Sequence, residues 1–193
     1  PPLLAEVVAP VRDLTPGERS RLNLPPGEPV KVVAADGLAN AFAAGVLPGA
    51  RVVFVTTGLL RNLTTAEVRA IVAHERGHHR RHHVALRLGS VALFVAAWLA
   101  ATATGVPGGF SAGVLALGPV VLLVCRLGRW TEYDADAYAA RRVDGATLAS
   151  ALDRVHADAR PSTARGRLAA LVSMHPPVDR RLARLSGEQA GAA

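Results

Sequence analysis

The feature that most restricts the fold of this chain is a long segment without charge. No Asp, Glu, Lys or Arg occurs from Leu88 to Val124, and the segment is interrupted only at 106–109, where the sequence reads Val-Pro-Gly-Gly. The length of each half is close to the roughly 20 residues that a helix needs to cross a bilayer, although the second half is short and contains Pro119. A buried hairpin in a soluble core is the alternative, but a chain of 193 residues has too little other surface to cover it. The sequence therefore predicts a transmembrane helical hairpin over 88–124.

Arginine residues flank the predicted hairpin on both sides. They are Arg76, Arg80 and Arg81 before it, and Arg126 and Arg129 after it. Because cytoplasmic flanks of membrane helices are enriched in Lys and Arg, we expect both ends on the cytoplasmic side and the Gly-rich turn outside.

The net charge of +7 raises the question of a nucleic-acid partner. The arginines are spread widely, and no aromatic ladder accompanies them to stack on bases, so we exclude this class. Cys125 is the single cysteine and lies in an apolar run, which rules out an intramolecular disulfide.

The remainder of the chain is interpreted as one domain over 1–193. Short β-branched runs at 30–34 and 51–56, with a third extended piece between them, predict a small sheet over 29–60. Residues 1–28 are expected to be a leading segment that ends in a loop. Thr64 followed three residues later by Glu67 is a capping box, and it predicts the start of a helix over 64–83. A further helical part is expected over 128–186.

The predicted helix over 64–83 carries the first candidate site. Residues 74–78 read His-Glu-Arg-Gly-His, an HExxH pattern in which His74 and His78 lie on one helix face and can share a tetrahedral Zn²⁺. Glu75 is then placed to take a proton from a water molecule. The adjacent His79, His82 and His83 are interpreted more simply, as a polar collar at the membrane interface.

A catalytic zinc site needs a third protein ligand. Glu132 and Asp136 lie four residues apart on a predicted helix, so Glu132 can bind the metal while Asp136 orients a ligand histidine. An acidic helix facing solvent is the alternative. The apolar hairpin favours the ligand interpretation, because it returns the chain to the side on which the HExxH helix lies.

Five motifs together resemble the integral-membrane zinc metalloproteases of the HtpX and CAAX prenyl endopeptidase type. In chain order they are Asn-Ala-Phe-Ala at 40–43, Thr-Gly-Leu-Leu at 57–60, the HExxH, Glu-Tyr-x-Ala-Asp-Ala at 132–137, and His-Pro-Pro at 175–177 followed by Arg181 and Leu185. They cover most of the chain from about residue 30 to residue 186.

The resemblance implies an α+β, mainly helical fold: a zincin-like domain with a small N-terminal sheet and a transmembrane hairpin. It also implies one Zn²⁺ per chain, held by His74, His78 and Glu132, and a cytoplasmic active site in a bacterial-type inner or plasma membrane. Asn40 would line the substrate strand, and His175 with Arg181 would close the site near the developing oxyanion. Without the resemblance, His175 before two prolines is equally well interpreted as a loop residue.

Two features depart from the family pattern. Arg76 stands where these proteases often carry an apolar residue, and the family's upstream membrane helices do not occur in this sequence. The chain begins at Pro1 without a signal pattern, so we expect an excerpt or a processed chain.

The function predicted from these residues is zinc-dependent hydrolysis of peptide bonds in membrane or misfolded proteins, with the lipid bilayer as a second partner. Two alternatives remain. One is a membrane metalloprotease that acts as a sensor or receptor component and cleaves one dedicated partner. The other is a non-catalytic membrane module that binds lipid.

Overall fold

The structure is a computed structural model that describes residues 9–25, 27–105, 107–156 and 173–190. Part of the predicted C-terminal helical region, 157–172, lies outside the described residues. The strands are β1 Val11–Asp13, β2 Val30–Val33, β3 Ala41–Ala44 and β4 Val52–Thr56. The helices are α1 Pro16–Arg21, α2 Thr57–Asn62, α3 Thr65–Arg80, α4 His83–Ala103, α5 Gly109–Ala140, α6 Gly145–His156 and α7 Val178–Ala190. A 3₁₀ turn spans Pro48–Ala50.

The four strands form one sheet in the order β1-β2-β4-β3. β2 and β4 are parallel, whereas β1 and β3 pair antiparallel with them at the two edges. Valines alternate on the central strands, and Val32 opposite Val55 is fully buried, as the period of two in a strand requires. The predicted small sheet is confirmed, and β3 is its edge strand on one side.

The sheet extends beyond the predicted range of 29–60 into the leading segment. Residues 11–13 form β1 and 16–21 form α1, which begins at a capping box of Thr15 and Glu18. All three residues of β1 are exposed, so this strand has no apolar alternation and is formed by pairing with β2.

Helix α3 covers the sheet and begins where the sequence indicates. The Thr64 hydroxyl accepts the backbone N–H of Glu67 at 3.3 Å, and the Glu67 carboxylate accepts the backbone N–H of Thr64 at 2.8 Å. The other oxygen of Glu67 accepts the Ser150 hydroxyl on α6 at 2.7 Å. Val68 and Val72 of α3 are buried in the same core as Leu148 of α6. The start of α3 is therefore tied to both the sheet and α6.

Helices α4 and α5 form the predicted apolar hairpin. The two run antiparallel, with the Trp98 and Phe110 rings 6.0 Å apart near the turn and Gly113 in close contact with the Trp98 indole. Both helices are long and apolar enough to cross a membrane, and their apolar side chains mostly face outward. Leu93 and Leu115 are 72% and 78% exposed, respectively. Such leucine-rich outer surfaces are suited to lipid.

The second apolar helix does not end where the uncharged run ends. Helix α5 continues without a break to Ala140 and thus carries both the membrane piece and Glu132. Glu132 lies eight residues beyond Val124, which corresponds to about 12 Å along the helix axis. The height of the candidate site above the apolar hairpin is therefore set by one rigid element.

Candidate metal centre and cleft

Three predicted metal ligands, from two helices, come together in the structure. The Nε2 atoms of His74 and His78 on α3 are 3.2 Å apart. The Oε2 atom of Glu132 on α5 lies 3.5 Å from His74 Nε2, and its Oε1 atom lies 3.5 Å from His78 Nε2. All three side chains are buried. Of the described residues, these are the ones whose His, Cys, Asp or Glu donors cluster within 4.8 Å of one another.

These separations fit a tetrahedral zinc ion. Zn–N bonds of about 2.0 to 2.1 Å set a tetrahedral edge at about 3.3 to 3.4 Å, close to the 3.2 Å between the two Nε2 atoms. Each of these nitrogens lies 3.5 Å from one of the two Glu132 oxygens, and one donor atom from each residue lies within 4.8 Å of the others. Two imidazole nitrogens and one carboxylate oxygen are also a donor set typical of catalytic zinc, which leaves a fourth position for water or substrate. The residues present therefore fit the metal that the sequence predicts.

Close packing of α3 against α5 makes this arrangement possible. A Cβ atom built on Gly77 would lie 3.2 Å from Ala135 Cα on α5, so glycine allows the two helices to approach at the level of the site. Arg76 points elsewhere and forms an ion pair with Glu28 at 2.9 Å. The departure from the family pattern at position 76 is therefore accommodated outside the site.

Asp136 and Arg181 contact the predicted ligands through hydrogen bonds and ion pairs. Asp136 Oδ1 lies 2.9 Å from His74 Nδ1, and Arg181 donates to both oxygens of Asp136 at 2.8 and 2.6 Å. Arg181 Nη1 also lies 3.3 Å from Glu132 Oε2. Burial opposes the charged form of His74, but hydrogen bonds to Asp136 and Glu132 outweigh it and raise the pKa of His74 to about 9. Asp136 thereby holds a hydrogen on Nδ1 and directs Nε2 toward the ligand cluster.

The two histidines differ in their electrostatic surroundings. Burial, helped by repulsion from His74, lowers the pKa of His78 to about 2, so this imidazole is neutral. Neutral imidazole is the form that binds zinc, so His78 is already in that form, whereas His74 would release its Nε2 proton when a metal binds.

Glu75 is buried beside the ligands and faces the edge strand. The backbone of Ala43 in β3 favours the charged form of this carboxylate and offsets part of the effect of burial on its pKa. Burial is the main reason that the pKa of Glu75 is raised to about 7. A carboxyl group with a pKa near neutrality is suited to accepting and returning a proton.

The ligands and Glu75 line a cleft of about 290 Å³. Strand β3 forms one wall, and the first turns of α4 form another. The remaining described lining residues are Asn40, Ala41, Phe42, Ala43, Val84, Arg87 and His175. The free edge of β3 therefore faces the same space as the ligand cluster.

The other predicted site residues take distinct positions. His175 stands at the mouth of the cleft, with its side chain 63% exposed and Nδ1 3.3 Å from Glu132 Oε1. Asn40 lines the cleft next to β3, and its Oδ1 accepts the backbone N–H of Ala41 at 2.9 Å. Arg181 is 3% exposed and is not among the described residues that line the cleft, so it lies behind the ligands and not beside a substrate.

The interpretation of all three neighbouring histidines as an interfacial collar is wrong for two of them. His79 is buried and hydrogen-bonds to the Ala44 carbonyl at 2.9 Å. His83 is 1% exposed and contacts His78. Only His82 is exposed, and it hydrogen-bonds to Arg51 at 2.9 Å. His79 lies within α3 on the side that contacts β3, and this contact buries it. His83 is misplaced because α3 ends at Arg80 and the chain turns, so an assignment based on one continuous helix fails beyond that end.

Arg87 is a site residue that the sequence analysis missed. It donates to Glu132 Oε1 at 2.8 Å and to the Gly128 carbonyl at 3.1 Å, and it also hydrogen-bonds to the Thr131 hydroxyl. It thus joins the start of α4 to the ligand-bearing part of α5. Its place as the last charged residue before the apolar run was the available signal, since a charge there needs a partner or the interface.

Comparisons with known proteins identify the family to which the chain is similar. A sequence model of Peptidase family M48 matches residues 8–189. A protease HtpX homolog of Burkholderia multivorans is 31% identical over 199 residues, covering 86% of this chain and 69% of that protein. A protease HtpX homolog of Ralstonia pickettii is 30% identical over 179 residues, covering 76% of this chain and 63% of that protein.

The fold is similar to that of a solved structure. The crystal structure of S. mikatae Ste24p superposes with a TM-score of 0.65 at 19% identity. The match covers 95% of this chain and 52% of that one, so the chain spans about half the length of Ste24p.

Proposed function

Because the chain belongs to peptidase family M48, we propose that it is a membrane zinc endopeptidase whose ion is held by His74, His78 and Glu132. The observation that carries the proposal is the set of three ligand separations, 3.2, 3.5 and 3.5 Å, made by buried side chains from two helices. One zinc ion per chain follows from the one such cluster found among the described residues. When bound, zinc would supply Lewis-acid chemistry that activates water and polarises the scissile carbonyl.

Glu75 is the proposed general base. It is buried in the cleft next to His74 but is not one of the three clustered ligands, so its carboxylate remains available for proton transfer. It would accept a proton from the attacking water and pass it to the leaving amine. Asp136 and Arg181 would keep His74 and Glu132 in place during this transfer, since they contact these ligands directly.

We further propose that the substrate binds as an extended strand along β3. An edge strand can pair its outward-facing backbone groups with an added peptide, and β3 and Glu75 line the same cleft. Asn40 would contact the peptide near one end of β3. Backbone pairing is largely independent of sequence, which suits the unfolded segments of membrane or misfolded proteins.

The proposed activity has a direct test. The full chain, purified in lipid or detergent, is expected to contain zinc and to cleave an unfolded fluorogenic casein. A chelator should abolish cleavage, and added zinc should restore it. Purified protein that binds no zinc, or cleavage that a chelator leaves unchanged, would contradict the proposal.

His175 is proposed to act on the developing oxyanion from the cleft mouth. His175→Ala is expected to lower kcat about 100- to 1,000-fold, the usual cost of losing one oxyanion donor, while zinc content is unchanged. Zinc content and initial rates measured on the same samples check this. The exposed His82→Asn, outside the described lining of the cleft, serves as the control. Loss of zinc in His175→Ala would assign His175 to the metal instead.

We also propose that the active site faces the cytoplasm, based on the arginines that flank the hairpin. In a Cys125→Ala background, Thr104→Cys places a thiol at the exposed hairpin turn and Ser20→Cys places one in α1. In intact cells, a membrane-impermeant maleimide should label Thr104→Cys but should label Ser20→Cys only after permeabilisation. The reverse pattern would invert the topology.

A further inference from the structure

The two ligand histidines are held in different ways on their outer nitrogens. His74 Nδ1 meets Asp136 directly, whereas His78 Nδ1 lies 3.1 Å from Nδ1 of a third histidine, His83. His83 Nε2 in turn lies 3.1 Å from Asp134 Oδ2 on α5. His83 is 1% exposed, and its ring packs edge-on against Trp130 with centroids 5.7 Å apart.

His78, His83 and Asp134 form a series of hydrogen bonds, and these bonds all run in one direction. His78 Nε2 faces the ligand cluster, so it must lack a hydrogen when it binds metal, and the neutral ring then carries its hydrogen on Nδ1. Nδ1 of His78 therefore donates to Nδ1 of His83. His83 consequently carries its own hydrogen on Nε2 and donates it to Asp134. Both ring nitrogens of His83 have a partner, and the series ends on a carboxylate.

The backbone between α3 and α4 is shaped to make this contact. In a continuous helix, a residue five positions after His78 would point about 140° away from it around the axis. The structure instead ends α3 at Arg80 and places His82 in the left-handed region at φ 58°. This turn brings His83 back over His78 as the first residue of α4. Histidine is among the residues that adopt this conformation more readily than most.

We propose that His83 and Asp134 are positioning residues that fix the ring of His78 as a zinc ligand. Asp134, acting through the imidazole of His83, would orient the His78 ring in the way that Asp136 orients the His74 ring directly. This inference rests on the proposed zinc site. Its consequence is that zinc affinity depends on a hydrogen-bond acceptor at position 83, and not merely on the volume that fills this position.

A pair of nearly isosteric substitutions separates these two roles. His83→Leu fills the space without an acceptor. His83→Asn places Oδ1 on the same Cγ position as the lost Nδ1, so it can still accept from His78. We expect His83→Leu to weaken zinc binding about 10- to 100-fold, the usual effect of losing a group that orients a ligand. His83→Asn should remain within a few-fold of wild type. The readout is the zinc dissociation constant of the full chain, from competition with a chromophoric chelator.

Two further variants complete the experiment. His82→Asn removes the neighbouring exposed histidine, keeps a residue that tolerates positive φ, and should bind zinc as wild type does. Asp134→Ala removes the carboxylate that ends the series. Because Asp134 is partly exposed, this variant can test the proposal if His83→Leu does not fold. It should weaken zinc binding about tenfold.

The possible outcomes are distinct. Wild-type protein without zinc affinity would contradict the proposed function itself. Wild-type affinity in both His83→Leu and Asp134→Ala would overturn the positioning role while leaving the proposed function intact. Equal weakening by His83→Leu and His83→Asn, with both zinc-free proteins melting at a lower temperature than wild type, would also overturn it, because packing alone would then explain the loss.

Discussion

Glu75→Gln is expected to retain zinc at the wild-type level and to lower kcat by about 100- to 10,000-fold, the usual cost of removing a general base. The amide has almost the same shape as the carboxylate, so it can occupy the same position in the cleft. It cannot take up a proton at neutral pH. Because Glu75 is not part of the ligand cluster, the metal should be unaffected. Zinc content and single-turnover cleavage, measured on the same preparation, check both statements.

The control for this prediction is Glu18→Gln. The same chemical change is made in α1, where Glu18 pairs with Arg12 and lies outside the described lining of the cleft. This variant should match wild type in both zinc content and rate. A fully active Glu75→Gln would show that another group accepts the proton, and loss of zinc from it would place Glu75 among the ligands.

Glu132→Ala is expected to lose zinc altogether. The ligand set would fall from three protein ligands to two, and the two that remain both lie on α3, so the metal would no longer join α3 to α5. Glu75→Ala is the matched comparison, because it removes the same number of atoms from the same cleft. It should keep zinc and lose cleavage, whereas Glu132→Ala should lose both.

The same substitution should also lower stability. Glu132 lies 2.8 Å from Arg87 and 3.3 Å from Arg181, and removing one partner of a buried ion pair costs about 3 to 5 kcal/mol. We expect the lower part of this range, since Arg181 keeps both hydrogen bonds to Asp136 and Arg87 keeps its bonds to Thr131 and Gly128. Thermal unfolding of the zinc-free proteins measures this contribution without the metal. Equal zinc in wild type and Glu132→Ala would move the third ligand to Asp136 or Asp134.

The structure gives different contacts to three acidic residues that lie close together in the sequence. Glu132 lies at ligand distance from His74 and His78, Asp136 contacts the outer nitrogen of His74, and Asp134 contacts His83. Sequence spacing placed Glu132 and Asp136 on one helix face, but it left open which of them comes nearest to the histidines. That order depends on the axial offset between α3 and α5, which is set by the close contact at Gly77 and not by either helix alone.

The sequence by itself determined the features that arise within one element. The capping box at Thr64, the shared face of His74 and His78, and the apolar hairpin follow from helix geometry and from the composition of adjacent residues. Tertiary structure decided the features that join distant segments. The pairing of β1 with β2, the contact of Arg87 with Glu132, and the burial of His83 depend on how separate elements pack. Such contacts form between residues far apart in the chain, so no local periodicity records them. The turn at His82 shows this most clearly, because one residue in the left-handed region placed His83 beside His78, a proposed metal ligand, and not on the expected surface.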